Sequence, residues 1–227
     1  MTLYTYCLRW DDGAAPNPFW GICTLAICKP AIRRKAKVTD WVVGIGSRNS
    51  PLRPNRDVSG HVVYAMKVTN VMSMPDYDKF CRKHLTGKIP HWGSRSFRRR
   101  MGDCIYDYAA GGHPELRPSV HKEGNRRTDL SGKNVLLSRH FYYFGDSPVE
   151  LPEWLLPICH PTQGHKSLAN EPHKREFEDW ISHRRDALNT LLGEPQLKPK
   201  FMALSDKACR SICARLHREE DERDEAD

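Results

Sequence analysis

The sequence contains no run approaching 18 apolar residues, which excludes a membrane-spanning helix. Its opening, M-T-L-Y-T-Y-C-L-R-W-D-D, lacks a basic start and reaches acid too early for a secretory leader, so a cytoplasmic protein is expected. The closest cysteine pairs, Cys23/Cys28 and Cys209/Cys213, lack the two-residue spacing of a zinc knuckle. No metal site is therefore expected, and in a reducing compartment the eight cysteines read as buried small apolar groups. There is no internal repeat, no G-x-S-x-G, no Walker loop, no H-E-x-x-H and no dinucleotide fingerprint. Gly44-Ile45-Gly46 is a partial fingerprint only, because Asn49 stands where a third glycine belongs. Apolar residues are scarce at 39%, yet sufficient for one core in 227 residues, with or without a helical extension.

Positive charge is what the chain has in excess. The formal charge is +8, although residues 218–227 hold seven acids against two arginines; the remainder carries +13. Such a body favours a polyanionic partner, nucleic acid above all. Two clusters place cations beside aromatics: Lys29, Arg33, Arg34 and Lys35, and then Arg95, Arg98, Arg99 and Arg100 near Trp92 and Phe97. Cations hold phosphates and flat rings stack on bases. Arg48, in a polar loop, joins the phosphate-contact candidates.

The chain is organised around residues 38–47, V-T-D-W-V-V-G-I-G-S, a buried strand ending in glycines that admit close approach of backbone or ligand. Residues 61–68 form its expected antiparallel neighbour. Further strands are expected at 3–9 and 134–144; residues 19–28 suit a strand or a short helix. Pro75 and Asp76 begin a helix near residue 74. Residues 109–133 read as a long surface loop, and helices are expected over 175–192 and 205–220, before an acidic tail.

Two groups suit nucleotide chemistry. Asn17, Phe19, Trp20 and Trp41, with Tyr64, Tyr106, Gly46 and Ser47, suit an aromatic pocket holding an extruded base against an amide. His160, His165 and Lys166, with Asp103 and Tyr106, suit acid–base work: His165 as base, Asp103 or Tyr106 as its partner, Lys166 stabilising charge.

The blocks N-P-F-W-G-I-C-T-L-A-I-C-K-P-A-I-R-R, T-D-W-V-V-G-I-G-S, H-V-V-Y-A-M-K-V, M-G-D-C-I-Y, V-L-L-S-R-H-F-Y-Y-F-G and I-C-H-P-T-Q-G-H-K, in that order, resemble the nucleotide-modification-associated domain 2 family of bacteria and phages. That resemblance implies a link to DNA base modification in a bacterial or phage-infected cell. A remoter likeness, to PUA-like domains of the EVE and YTH kind, rests on Arg33-Arg34, residues 39–43, residues 62–68 and Pro75-Asp76-Tyr77. Thr39 departs from the glycine usual there. This likeness implies a small β-barrel whose mouth takes a modified base, with Asn17, Trp41 and Ser47 lining it. The expectation is an α+β protein: a mixed, PUA-like small barrel over residues 1–170 with surrounding helices, and a helical extension with an acidic tail over 171–227. It binds nucleic acid, DNA in preference to RNA, or a nucleotide, without a membrane; no cofactor or oligomeric state follows. The rivals are an enzyme modifying a base or nucleotide, and an inhibitor whose acidic tail mimics DNA.

Overall fold

The computed structural model describes residues 1–48, 57–160, 162 and 164–199. Its strands are β1 (Leu3–Leu8), β2 (Cys23–Leu25), β3 (Trp41–Gly46), β4 (His61–Lys67), β5 (Asn70–Ser73), β6 (Tyr106–Asp107), β7 (Glu115–Leu116), β8 (Asn134–Ser138), β9 (Phe141–Tyr143), β10 (Val149–Glu150) and β11 (His165–Lys166). Its α-helices are α1 (Pro30–Lys35), α2 (Met74–His84), α3 (Phe97–Arg100), α4 (Arg126–Ser131) and α5 (Lys174–Ser182). Short 3-10 turns include Glu153–Ile158 and Leu168–His173.

The larger sheet runs β10-β4-β3-β1-β11, with β9 also on β4; the smaller runs β2-β8-β5. β3 and β4 are antiparallel, as their composition predicts, with a bulge between Gly44 and Ile45. A Cβ on Gly44 would lie 2.5 Å from the Tyr64 ring, and one on Gly46 2.5 Å from the Val58 carbonyl oxygen. Packing therefore requires both glycines. β1 and β3 are parallel, from Leu3 opposite Trp41 to Leu8 opposite Gly46. A parallel pair needs a crossover, and β2 and α1 lie within it.

The expected barrel gives way to stacked sheets, with no closed barrel among the described residues. Residues 134–144 show why. Ser138 Oγ accepts from His140 N (3.0 Å) and donates to the Lys67 carbonyl (2.6 Å), turning the chain. β8 then serves the smaller sheet and β9 the larger.

Side chains alternate across the larger sheet with the period of two a strand imposes. Tyr4, Tyr6, Val42, Tyr64 and Met66 face one core, shared with Cys23, Leu25, Leu136 and other residues of the smaller sheet. Leu3, Trp41, Val43, Ile45, Ala65 and Tyr142 face a second core, closed by Leu155 and Ile158 and by Phe177 and Ile181 of α5. Thus α5 packs into the second core. It ends at Ser182, short of the expected residue 192; Asn189 beyond it has φ 56°. Residues 205–220 and the acidic tail lie outside the described residues. α2 starts as the sequence predicts: Ser73 caps Asp76 N (3.2 Å), with proline in the first turn. The expected surface loop 109–133 instead contains α4 and buries Val120, His121, Asn125 and Asp129.

Candidate functional site

A cavity of about 600 Å³ opens at the C-terminal ends of the parallel strands β1 and β3. Ligands favour that end of parallel strands, where the loops diverge. Cys7 lines it from β1, Gly46 and Ser47 from the end of β3, and Arg48 and Ser59 from the segments following. The turn Glu153–Ile158 and the residues after it supply Leu156, Pro157, Cys159 and His160, and β11 supplies Lys166. Pairing of β11 with β1 sets Lys166 beside Thr5, which brings residues some 160 apart in sequence to one wall.

Three basic side chains from separate stretches meet here. Lys166 Nζ donates to the carbonyls of Cys159 (2.8 Å) and Pro157 (3.1 Å), fixing its position. His160 Nδ1 lies 2.9 Å from the Thr162 carbonyl and 3.2 Å from its N–H. Arg48 is exposed and paired with Asp57 at 3.3 Å. Hydrogen bonds from Ser59, and then Arg48, hold the Asp57 carboxyl below the usual range. Burial pushes the Cys159 thiol up to about 11, although Lys166 pulls against it. At neutral pH that thiol stays protonated and is a poor nucleophile. The cavity therefore offers cations and hydroxyls, suited to holding an anion.

Of the residues expected to act, Gly46, Ser47, Arg48, His160 and Lys166 converge on this cavity. His165 belongs to the opposite face, its ring tilted against Tyr4 with centroids 6.2 Å apart, because adjacent strand residues point to opposite sides. Asp103 and Tyr106 do not partner it. Asp103 accepts from Tyr77 (2.8 Å) and Thr24, and Tyr106 donates to Asp129 (2.8 Å).

The aromatic base pocket does not form as expected. Trp41 and Phe19 are 0% and 1% exposed. Trp41 packs on Phe177 and Tyr142 and donates to Glu178 (3.3 Å). Phe19 packs edge-on against Phe97. Asn17 is spent on structure: its side chain donates to the Met101 carbonyl (2.7 Å) and accepts from Lys88 (2.7 Å). Trp20 is exposed but lines a different cavity of about 370 Å³, with Ile22, Phe80, Leu85 and Arg139.

The basic clusters also divide. Arg33 is wholly buried and donates to the carbonyls of Ala26 (2.8 Å), Cys28 (2.8 Å), Asn134 (2.9 Å) and Asp129. Lys29 is buried with its Nζ 4.9 Å from the Tyr6 ring centre. Arg34 stays exposed and reaches the Ser131 carbonyl (3.1 Å). On α3, Arg100 is buried, Arg99 donates to the Thr86 carbonyl (2.7 Å), and Arg98 is exposed near Glu194 (3.5 Å). A four-residue helix turns its side chains apart, so the triplet presents no common basic face.

Sequence reasoning missed Cys7, Ser59, Leu156 and Pro157; strand alternation offered a signal for Cys7, and no local signal marked the others. Among the described residues, no group of three His, Cys, Asp or Glu converges to hold a metal, and no helix is long and apolar enough to cross a membrane.

Neither a curated protein nor a solved structure matches the chain. One family does, described as nucleotide modification associated domain 2, and the match covers residues 1–202. That span includes both cores and every described residue of the cavity. The chain belongs to the nucleotide modification associated domain 2 family, whose name links it to modification of nucleotides.

Proposed function

We propose that this protein binds a nucleotide, free or extruded from DNA, in the cavity at the ends of β1 and β3, in the service of DNA base modification. One observation carries the reading. Arg48, His160 and Lys166, with the hydroxyls of Ser47 and Ser59, converge on one hollow in a chain of this family. Its volume falls in the range of ~300–1,000 Å³ usual for small-ligand pockets. Cations and hydroxyls suit a phosphate; Leu156 and Pro157 give the hollow an apolar wall on which a base can lie.

The test is binding of a fluorescent single-stranded DNA oligonucleotide, and of its RNA equivalent, across a salt series. DNA is expected to bind more tightly than RNA, with affinity falling as salt rises. Arg48→Ala and Lys166→Ala should each weaken binding about tenfold, since a hydrogen bond to a charged group contributes roughly 1.5–3 kcal/mol. Unchanged affinity in both variants would remove the cavity from nucleotide binding.

A further inference from the structure

A second constellation lies in the other core, away from the cavity. Cys28 Sγ stands 3.6 Å from His121 Nε2, and His121 Nδ1 stands 2.6 Å from Asp129 Oδ2. The three groups stand in series, thiol to imidazole to carboxylate. A metal would need them to converge on one point. Asp129 also accepts from Tyr106 (2.8 Å) and from the backbone N–H of Cys28 (3.2 Å). Burial pushes the Asp129 carboxyl up, but His121, Arg33 and Tyr106 outweigh it and hold it below the usual range. An ionised Asp129 at Nδ1 fixes the imidazole tautomer whose Nε2 accepts a proton from sulfur.

The backbone serves the same arrangement. Cys28 occupies a strand-to-helix turn between β2 and α1, with φ 56°, and Lys29 follows at φ 43°. Two successive non-glycine residues in the left-handed region persist only when their surroundings over-determine them. Here Arg33 binds the carbonyls of Ala26 and Cys28, and Asp129 binds the Cys28 N–H. A Cβ at Gly132 would stand 2.3 Å from the Arg33 guanidinium, so even that glycine keeps the clamp in place.

We infer that Cys28, His121 and Asp129 form a thiol site for acyl transfer, acting on an amide-linked acyl group carried by an anionic substrate. Sγ bonds to the acyl carbon while its proton passes to His121 Nε2. The tetrahedral adduct collapses with cleavage of the C–N bond, and the amine leaves with the proton from His121. Water then gives a proton to His121 and attacks the thioester, releasing the carboxylic acid and restoring the thiol as the proton returns to sulfur. Asp129 keeps the imidazole oriented and stabilises its charged form. Exposed Arg34 and Lys35 on α1, and Lys122 and Arg127 beside His121 and Asp129 in the sequence, favour a negatively charged carrier.

The protein's other buried thiols provide the control. Cys28 is 2% exposed, while Cys23 and Cys81 are 0% and Cys104 is 3%. Burial is common to all, and the His121→Gln variant isolates the share due to the imidazole. The full chain is treated with iodoacetamide and, separately, with p-nitrophenyl acetate, and adducts are mapped by mass. Cys28 should alkylate at least about 100-fold faster than Cys23 and Cys81, the scale of general-base assistance, and should carry the acetyl thioester. His121→Gln should bring its rate down to theirs, and Cys28→Ser should abolish the acetyl adduct. The comparison within the wild-type chain needs no variant to fold. Alkylation of Cys28 no faster than Cys23 and Cys81, or absence of an acetyl adduct on Cys28, would overturn the assignment. Neither readout involves the cationic cavity, so this inference and the nucleotide-binding proposal fail independently.

Discussion

Lys88→Met separates a structural role for Asn17 from a base-reading one. Lys88 is wholly buried, and its ammonium places three N–H donors among four acceptors at 2.7–2.8 Å: the Asn17 carbonyl, Asn17 Oδ1, the Ile22 carbonyl and Thr24 Oγ1. Thr24 passes the chain on to Asp103. Burial lowers the Lys88 ammonium and raises the Asp103 carboxyl, and each opposes the other's shift by its charge. Methionine keeps the stem and removes the charge, leaving these acceptors without their shared donor and Asp103 without the cation. Breaking a buried pair in this way costs about 3–5 kcal/mol, much of any domain's stability. Urea unfolding followed by tryptophan fluorescence measures it. Without Lys88, the folded-state Asp103 carboxyl rises further. The deficit should therefore be larger at pH 8 than at pH 5, because a carboxyl raised on folding loses its stabilising proton as pH rises. Asp103→Asn in the Lys88→Met background should recover roughly 1–3 kcal/mol through their coupling. A loss below about 1 kcal/mol, with nucleotide binding impaired instead, would refute this account of Asn17.

Two further predictions concern stability. Burial pushes the Asp11 carboxyl up to about 7, against the Tyr143 hydrogen bond (2.7 Å) that pulls it down. Between pH about 4 and about 7 the folded state holds a proton that the unfolded chain releases, so this group's contribution falls as pH rises, by up to about 4 kcal/mol. Asp11→Asn should flatten that part of the urea-midpoint profile; an unchanged slope would contradict it. Phe177→Ala should cost about 3–5 kcal/mol by opening a cavity against Trp41, and a smaller loss, below about 1 kcal/mol, would show α5 to be peripheral.

How far the sequence foretold this depended on the range of each interaction. β3 and β4 were legible because Trp41-Val42-Val43 and residues 62–66 are apolar runs bounded by polar turns, and α2 because Pro75 and Asp76 stand together in its first turn. Residues 134–144 looked like one strand because the Ser138 turn depends on the Lys67 carbonyl, 71 residues away. Arg48, His160 and Lys166 were legible as phosphate-binding or acid–base types, but their meeting depends on β1 pairing with β11. Trp41 and Phe19 misled because a flat ring suits a base pocket and a core equally. Cys28 and His121 were missed for the opposite reason. The segment carrying His121 has little apolar character, and what buries it is Arg33 and Asp129 binding polar groups across the core. The turn-forming sequence Cys28-Lys29-Pro30 was the local signal available.

The central claim is that the hollow between Arg48, His160 and Lys166 recognises a phosphate. Calorimetric titration of the full chain with each deoxynucleoside monophosphate, beside the matching phosphate-free nucleoside, tests it most directly. Binding of a nucleotide with little or none of its nucleoside, abolished in the Arg48→Ala/Lys166→Ala double variant, is the predicted result. Equal binding of nucleotide and nucleoside, or nucleotide binding that survives in the double variant, would contradict it.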